Sequence, residues 1–133
     1  MKIENRKKIP YIILVSFAIL VVYYGFRAHY ELNEIRDYKA FSKGFVYRAN
    51  PAGKSVGLYI EYYFYVNNEK FSDGITTSLK KSSDEYIKNK YFPVIYSKHN
   101  PEFNRILITP SDFYEFNLGF PDSLSWVPKF CDK

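Results

Sequence analysis

The feature that most constrains this chain is an uncharged stretch near its start. It runs from Ile9 to Phe26, reads IPYIILVSFAILVVYYGF, and has lysines before it and an arginine after it. At about 1.5 Å of rise per residue, a helix of this length reaches about 27 Å, close to the thickness of the hydrocarbon core of a membrane. A helix that is apolar on every side needs lipid or a large core around it, and the rest of the chain is too short for the latter. The sequence therefore predicts a transmembrane helix at residues 9–26, with membrane lipid as its partner.

A cleaved secretory signal is the alternative for the same stretch. Signal peptides place small residues before the cleavage site, whereas this stretch ends on Tyr23-Tyr24-Gly25-Phe26. The tyrosines at its two ends, Tyr11 and Tyr23-Tyr24, are typical of the aromatic belts at bilayer surfaces. We therefore expect an anchor that is not cleaved.

The distribution of positive charge sets the expected orientation. Lys2, Arg6, Lys7 and Lys8 cluster before the apolar stretch, whereas the basic residues after it are dispersed. Because clustered basic residues stay on the cytoplasmic side, residues 1–8 are predicted to be a basic cytoplasmic tail. We expect a single-pass protein of the inner (cytoplasmic) membrane whose remaining chain lies outside the cytoplasm.

The formal charge of +5 would suggest a nucleic-acid partner, but its distribution argues against one. Residues 27–133 hold fifteen Lys and Arg against thirteen Asp and Glu. A groove that follows phosphates needs clustered positive charge, and this part of the chain has little of it. No nucleic acid is expected as a partner.

Beyond the apolar stretch, the patterns predict an α+β fold. Leu32, Ile35 and Tyr38 recur at a spacing of three, which predicts a helical stalk over residues 27–42; the alternative is that this segment packs on the domain as its first helix. Residues 43–116 are predicted to form one small antiparallel β-rich domain with about five strands and one short helix. Residues 117–133 contain glycine and prolines and are predicted to be an irregular C-terminal tail.

The clearest strand pattern runs from Val56 to Asn67. Even-numbered positions, beginning with Val56, are apolar and predict a core face. The opposite face carries three tyrosines: Tyr59, Tyr63 and Tyr65. Asn67-Asn68 predicts a tight turn into a strand over residues 70–77, because Asn tolerates positive φ.

The second half of the domain has weaker signals. Ser82 and Glu85 have the spacing of a capping box and predict a helix of about two turns, which Pro93 would end. A fourth strand is expected to follow, and a fifth over residues 104–109. Residues 110–112 (Pro-Ser-Asp) are typical of another helix start.

Two segments carry a resemblance to a known family. Tyr62 to Phe71 reads YYFYVNNEKF, and Phe92 to Pro101 reads FPVIYSKHNP. Together they resemble the small bacterial membrane-protein domains grouped as domain of unknown function 3592, which show a tyrosine-rich strand, an Asn-containing hairpin turn and a V-x-Y-x-x-x-N-P element. The resemblance covers residues 43–109. The chain departs from the pattern at Asn68, where the family often has glycine, and in its tail.

The resemblance implies a small β-rich domain tethered by membrane helices, and it implies no activity. The residues that match are hairpin and turn positions, so none of them is carried over as a catalytic residue.

Residues that carry enzymatic or metal chemistry are sparse. The chain has two histidines, His29 and His99, and one cysteine, Cys131, which cannot form an internal disulfide. Metal sites need several such side chains to converge. No phosphate-binding glycine loop, nucleophile elbow or H-E-x-x-H motif occurs. We predict no catalytic residue, no metal and no cofactor; a small hydrolase, the alternative, would need a pocket with paired titratable groups.

The leading functional hypothesis is a non-enzymatic binding or accessory protein that contacts another envelope protein as a complex subunit. Exposed tyrosines suit this role because they are large, stiff and polar at the tip. The predicted binding residues are Tyr59, Tyr63, Tyr65, Trp126 and Phe130. An immunity-type protein that neutralises a toxin at the membrane, and a binder of lipid or cell-wall glycan, are the alternatives. A competing structural interpretation has the tyrosines packed against residues 84–91 or the tail, because a large exposed apolar patch is unusual.

Overall fold

A long helix leads directly into an antiparallel sheet. The structure is a computed structural model that describes residues 8–54 and 56–131; the predicted basic tail lies outside the described residues except for Lys8. Helix α1 spans Lys8–Asp37, and α2 (Asp84–Ile87) and α3 (Pro110–Glu115) are short. The strands are β1 (Lys39–Pro51), β2 (Leu58–Val66), β3 (Glu69–Thr77), β4 (Tyr91–Ser97) and β5 (Asn104–Ile106). The five strands form one antiparallel sheet in the order β3-β2-β1-β4-β5, which confirms the α+β class.

Helix α1 contains the whole uncharged stretch without a break. Among the described residues it is the one helix long and apolar enough to cross a membrane: its most apolar window has a mean hydropathy of 1.8, and none of that window is buried. The helix continues for about three more turns beyond Phe26 and ends at Asp37.

The prediction of a helical stalk over residues 27–42 is wrong at its end, because residues 39–42 belong to β1. The N–H of Tyr38 still bonds to the carbonyl of Glu34, but the carbonyl of Tyr38 accepts from Lys98 at 2.8 Å. From there β1 pairs with β4, beginning at Lys39 opposite Ser97. The last turns of α1 pack on the domain, where Ile35 is fully buried, as the alternative for this segment held.

The alternation in β2 places its side chains as predicted for most of its length. Leu58, Ile60, Tyr62 and Phe64 are buried in the core, and the turn into β3 is made by Asn67 and Asn68 with φ of 50° and 66°. These positive φ values are those of a two-residue hairpin turn, which matches the right-handed twist of the strands.

The placement of Val56 in the core is wrong, since this side chain is 74% exposed. The chain turns at Gly57, where φ is +106° and a Cβ would collide with the carbonyl of Thr77. Strand β2 therefore begins only at Leu58.

The predicted helix after β3 is shorter than expected and has no capping box. Ser83, not Ser82, precedes α2, and its hydroxyl donates to the carbonyl of Lys80 at 2.6 Å instead of capping the helix. Pro93 does not end this helix but lies inside β4. Strand β5 pairs with residues 94–96. In the same register Leu107 donates to the carbonyl of Pro93 at 2.8 Å, and the bond in the other direction is missing because proline has no N–H.

A capping box is instead found at α3, where residues 110–112 were predicted to start a helix. The carboxylate of Asp112 accepts from the N–H of Thr109 at 2.7 Å and from its hydroxyl at 2.9 Å. The start of α3 is thereby fixed to the end of the segment that follows β5.

The core lies between the inner face of the sheet and the segments after β3. Residues 117–131, predicted as an irregular tail, form short 3-10 turns at Asp122–Leu124 and Val127–Phe130. Leu124 and Val127 are buried, and the N–H of Lys80 bonds to the carbonyl of Phe130 at 2.7 Å. These residues are therefore part of the domain's own packing.

One polar pair is built into this core. The hydroxyl of Tyr62, which is fully buried, donates to Oδ1 of Asn104 at 2.6 Å. Nδ2 of Asn104 donates in turn to the carbonyls of Pro101 and Glu102. Burial, reinforced by the negative charge of Asp73, raises the pKa of Tyr62 well above the ordinary value for tyrosine. The pair joins the centre of the sheet to the turn between β4 and β5.

Candidate binding surface

The outer side of the sheet, opposite the core, carries a set of aromatic rings from three adjacent strands. The aromatic face consists of Phe45, Tyr47, Tyr59, Tyr63, Tyr65 and Tyr91. Strand alternation puts the three β2 tyrosines on this side, as predicted. The register brings the other rings beside them, since Phe45 lies opposite Tyr63 in β2 and opposite Tyr91 in β4.

Tyr63 is the centre of the aromatic face. The centroid of its ring lies 5.5 Å from that of Phe45, 6.1 Å from that of Tyr47 and 5.9 Å from that of Tyr65. Phe45 in turn lies 5.0 Å from Tyr91. These spacings are those of favourable edge-to-face and offset pairs, so the rings stiffen one another.

Much of this surface is accessible. Tyr65 is 54% exposed, Tyr91 64% and Tyr59 41%, while the central Tyr63 is half-buried among its neighbours. Neither α2 nor the tail provides an aromatic partner here; Tyr86 of α2 instead pairs with Phe130 at 4.7 Å. Packing of the three tyrosines against residues 84–91 or the tail is therefore not what the described residues show.

Tyr59 owes its position to a glycine on the edge strand. A Cβ at Gly74 would collide with the Tyr59 hydroxyl, so the phenol lies close over the β3 backbone at this point. Glycine in a strand marks such close approaches, and here it lets a tyrosine lie flat across the edge of the sheet. The aromatic face thereby reaches as far as β3.

The charges on this side of the sheet are mainly positive. The ammonium of Lys70 lies 4.2 Å from the centroid of the Tyr63 ring, a cation–π contact. Lys43 is exposed on β1. The carboxylate of Glu61 is paired with Arg48 at 2.7 Å, so it does not offset these lysines. Together the phenol hydroxyls and the lysines offer stacking, hydrogen bonds and positive charge.

The end of α1 packs beside the end of β4 on the outer side of the sheet. Ile95 and Ser97 alternate onto the same side of β4 as Tyr91, yet both are buried. The hydroxyl of Ser97 donates to Glu34 of α1 at 3.3 Å, and α1 contacts β4 and β1. The helix thus shields one end of the sheet and leaves the aromatic face open beyond it.

The two other predicted binding residues lie elsewhere. The rings of Trp126 and Phe130 pack together with their centroids 6.1 Å apart, and both are partly buried against the core. There the centroid of the Trp126 ring lies 6.4 Å from that of Phe92. Trp126 and Phe130 help to hold the C-terminal segment on the domain and are not brought together with the three tyrosines.

Two shallow depressions at the start of β4 lie between Tyr91, on the aromatic face, and Trp126, in the C-terminal segment. One, of about 540 Å³, is lined by Ser42, Lys43, Tyr91, Phe92 and Pro93. A neighbouring one, of about 470 Å³, extends from residues 89–93 to Ser123, Leu124 and Trp126. Trp126 is therefore placed at the border of the aromatic face.

Titratable groups do not converge at this surface. In the described part of the chain, no three His, Cys, Asp or Glu side chains are placed to hold a metal ion. His99 instead pairs with Glu34 at 3.1 Å beside α1.

No family model, curated protein or solved structure matches this chain. The resemblance to domain of unknown function 3592 therefore stays a prediction, and the surface has to be interpreted from its own residues.

Half of the aromatic face was not singled out by sequence reasoning. Phe45, Tyr47 and Tyr91 are not among the predicted binding residues. Their signal is the cross-strand register, which depends on which strands are neighbours and is not contained in the local pattern.

Proposed function

We propose that this chain is a membrane-anchored, non-enzymatic accessory protein whose aromatic face binds another envelope protein as a complex subunit. Helix α1 is the anchor in the inner membrane, with the basic N-terminal tail in the cytoplasm and the domain outside it. The unburied, uncharged run within α1 supports the anchor, and the cluster of basic residues before it supports the orientation.

The observation that carries the proposal is the continuous ring network on the outer side of the sheet. Tyr65 and Tyr91 are each more than half exposed, although both are in contact with other rings of the network. Monomeric domains rarely leave such a patch uncovered, and interfaces are enriched in tyrosine. The rings already hold one another in place. Binding of a partner would therefore cost little side-chain entropy on this surface.

A binder of glycan or lipid is less well supported. Such a site needs aromatic rings that line a cleft, whereas these rings are spread over three strands of a sheet face. The lysines beside them favour a protein partner with acidic side chains at the rim of the contact.

The proposal is tested by affinity purification of the full-length protein from detergent-solubilised membranes, followed by mass spectrometry. The test variant combines Tyr65→Ser with Tyr91→Ser, because both side chains are largely exposed and their loss should not unfold the domain. The control is Tyr114→Ser on α3, a tyrosine of similar exposure away from the aromatic face.

We expect the wild-type and control proteins to retain an envelope protein at fixed stoichiometry and the double variant to lose it. Retention by a folded double variant would refute the proposed surface. Recovery of a toxin in place of envelope components would assign the immunity-type function instead.

A further inference from the structure

Helix α1 enters the domain with no flexible linker. The apolar stretch ends at Phe26, and the helix continues unbroken to Asp37. Leu32 is already packed against the core and Ile35 is fully buried. At about 1.5 Å per residue, Leu32 lies only about 9 Å beyond Phe26 along the helix axis. The core of the domain therefore begins close to the point where the apolar stretch ends.

The turn between β4 and β5, residues 98–103, runs back along α1 toward that stretch. At its start, the N–H of Lys98 bonds to the carbonyl of Tyr38, and the His99 ring stacks on Tyr38 with centroids 3.8 Å apart. His99 Nδ1 also lies 3.1 Å from the carboxylate of Glu34. At its end, the Phe103 ring lies 6.0 Å from that of Tyr30.

Tyr38, Glu34 and Tyr30 are spaced four residues apart, so they form one row along the helix. The turn therefore follows α1 for about two helical turns, or about 12 Å, in the direction of the apolar stretch. Strand β4 ends where this turn begins, and its antiparallel partner β1 starts beside that end, at Lys39 opposite Ser97.

The position of Tyr30 sets how close the Phe103 end of this turn comes to the membrane. Tyr30 is four residues, or about 6 Å, beyond Phe26 along the helix axis. Helix side chains also tilt toward the N-terminus, which brings the Tyr30 ring and Phe103 closer to Phe26. Each headgroup layer of a bilayer is about 5–8 Å thick. The contact between Tyr30 and Phe103 thus falls within the layer that would surround the end of the apolar stretch.

We propose that the Phe103 end of this turn lies in the headgroup layer of the membrane and holds the domain directly against the lipid. The inference rests on the proposed anchoring by α1. Tyr30 and Phe103 supply aromatic rings, which favour the interface. The pairs with Tyr38 and Glu34 fix the turn to the helix, so the domain has one pose relative to the bilayer.

The pose has a consequence for the aromatic face. Tyr91 lies at the opposite end of β4 from the turn, six residues before Ser97 and up to about 20 Å along the strand. The Tyr91 end of the aromatic face is therefore held at a distance from the turn, within reach of a partner that extends beyond the headgroups.

The test uses the full-length protein in liposomes that contain lipids with nickel-chelating headgroups. Single nitroxide labels are attached to cysteines introduced on a Cys131→Ser background. Glu102→Cys probes the turn, Lys54→Cys probes the far end of β1, and Phe17→Cys probes the apolar stretch. Headgroup nickel shortens the relaxation time of a nitroxide that is close to it, and dissolved oxygen reports a label inside the hydrocarbon.

We expect nickel lipid to enhance relaxation at position 102 several-fold more than at position 54, and oxygen to dominate at position 17. Suppose that the label at position 17 contacts lipid while nickel lipid enhances relaxation equally weakly at positions 102 and 54. That result would overturn the inference and leave the proposed anchor intact. Absence of lipid contact at 17 would overturn the inference together with the proposed anchor.

Discussion

At the scale of single residues, Tyr62 is the side chain whose chemistry depends most on folding. Its phenol is removed from water, and its hydroxyl has one acceptor, Oδ1 of Asn104. A buried hydroxyl is costly unless it is bonded, so the pair specifies how β2 and the turn after β4 fit together.

The change Tyr62→Phe removes the hydroxyl and leaves the part-buried Asn104 oxygen without its donor. We expect the free energy of unfolding to fall by about 1–3 kcal/mol. Urea denaturation of the full-length protein in detergent, followed by fluorescence, measures this change. Tyr65→Phe, at an exposed position on the same strand, is the matched control and should leave the midpoint unchanged. An equal effect of both changes would refute the role given to the pair.

The raised pKa of Tyr62 also predicts how stability depends on pH. The folded protein holds this proton more tightly than the unfolded chain, whose tyrosines titrate near pH 10. The contribution of Tyr62 is therefore fully present below about pH 10 and is lost as the pH rises above it. We expect wild-type stability to fall more steeply above about pH 10 than that of Tyr62→Phe; parallel pH profiles would contradict this assignment.

At the scale of elements, the start of β2 depends on a backbone conformation that favours glycine. Gly57 has φ of +106°, and its α-carbon lies close to the Thr77 carbonyl on β3. Gly53, in the turn that precedes it, also has positive φ but has open space around it. A comparison of substitutions at these two glycines therefore distinguishes the cost of steric crowding from the cost of backbone strain.

The change Gly57→Ala should lower the free energy of unfolding by about 2–6 kcal/mol, because backbone strain and overpacking add. Gly53→Ala should cost only about 1–2 kcal/mol, from backbone strain alone. Urea denaturation of the two variants under identical conditions measures the difference. Equal costs would mean that the close approach at Gly57 is not a constraint.

Elements that depend on local patterns could be predicted from the sequence. The period-two alternation of residues 58–66 and the Asn67-Asn68 turn determine the β2–β3 hairpin, and the uncharged stretch determines the main part of α1. Pro110 and Asp112 likewise mark the start of α3, since a proline in the first turn and a capping carboxylate both act locally.

Elements that depend on distant partners could not be predicted. Helix α1 ends at Asp37 because the Tyr38 carbonyl accepts from Lys98, sixty residues later in the chain. Pro93 is tolerated inside β4 because it lies at the end of the pairing with β5, where its carbonyl still accepts from the N–H of Leu107. The aromatic face likewise joins three strands through their register, so only its β2 tyrosines were found from the sequence.

At the scale of the whole molecule, the proposed orientation is open to a direct check. A cysteine at Lys54, on a Cys131→Ser background, should react with a membrane-impermeant maleimide in intact spheroplasts, because the domain is placed outside the cytoplasm. Lys2→Cys, in the basic tail, should react only after lysis. Reaction of the Lys54 position only after lysis would reverse the orientation.

In the proposed arrangement, a stiff aromatic surface lies at a set distance from the bilayer, held there by a helix that is continuous with the anchor. The ring network, the lysines beside it and the short connection to α1 all contribute to this arrangement.

The most direct test of this account is photocrosslinking in intact membranes. A p-benzoylphenylalanine residue at position 65, on the aromatic face, is compared with one at position 114, which is similarly exposed on α3. The account predicts a discrete adduct with another envelope protein at position 65 and none at 114. The absence of an adduct at position 65, or the same adducts at both positions, would contradict it.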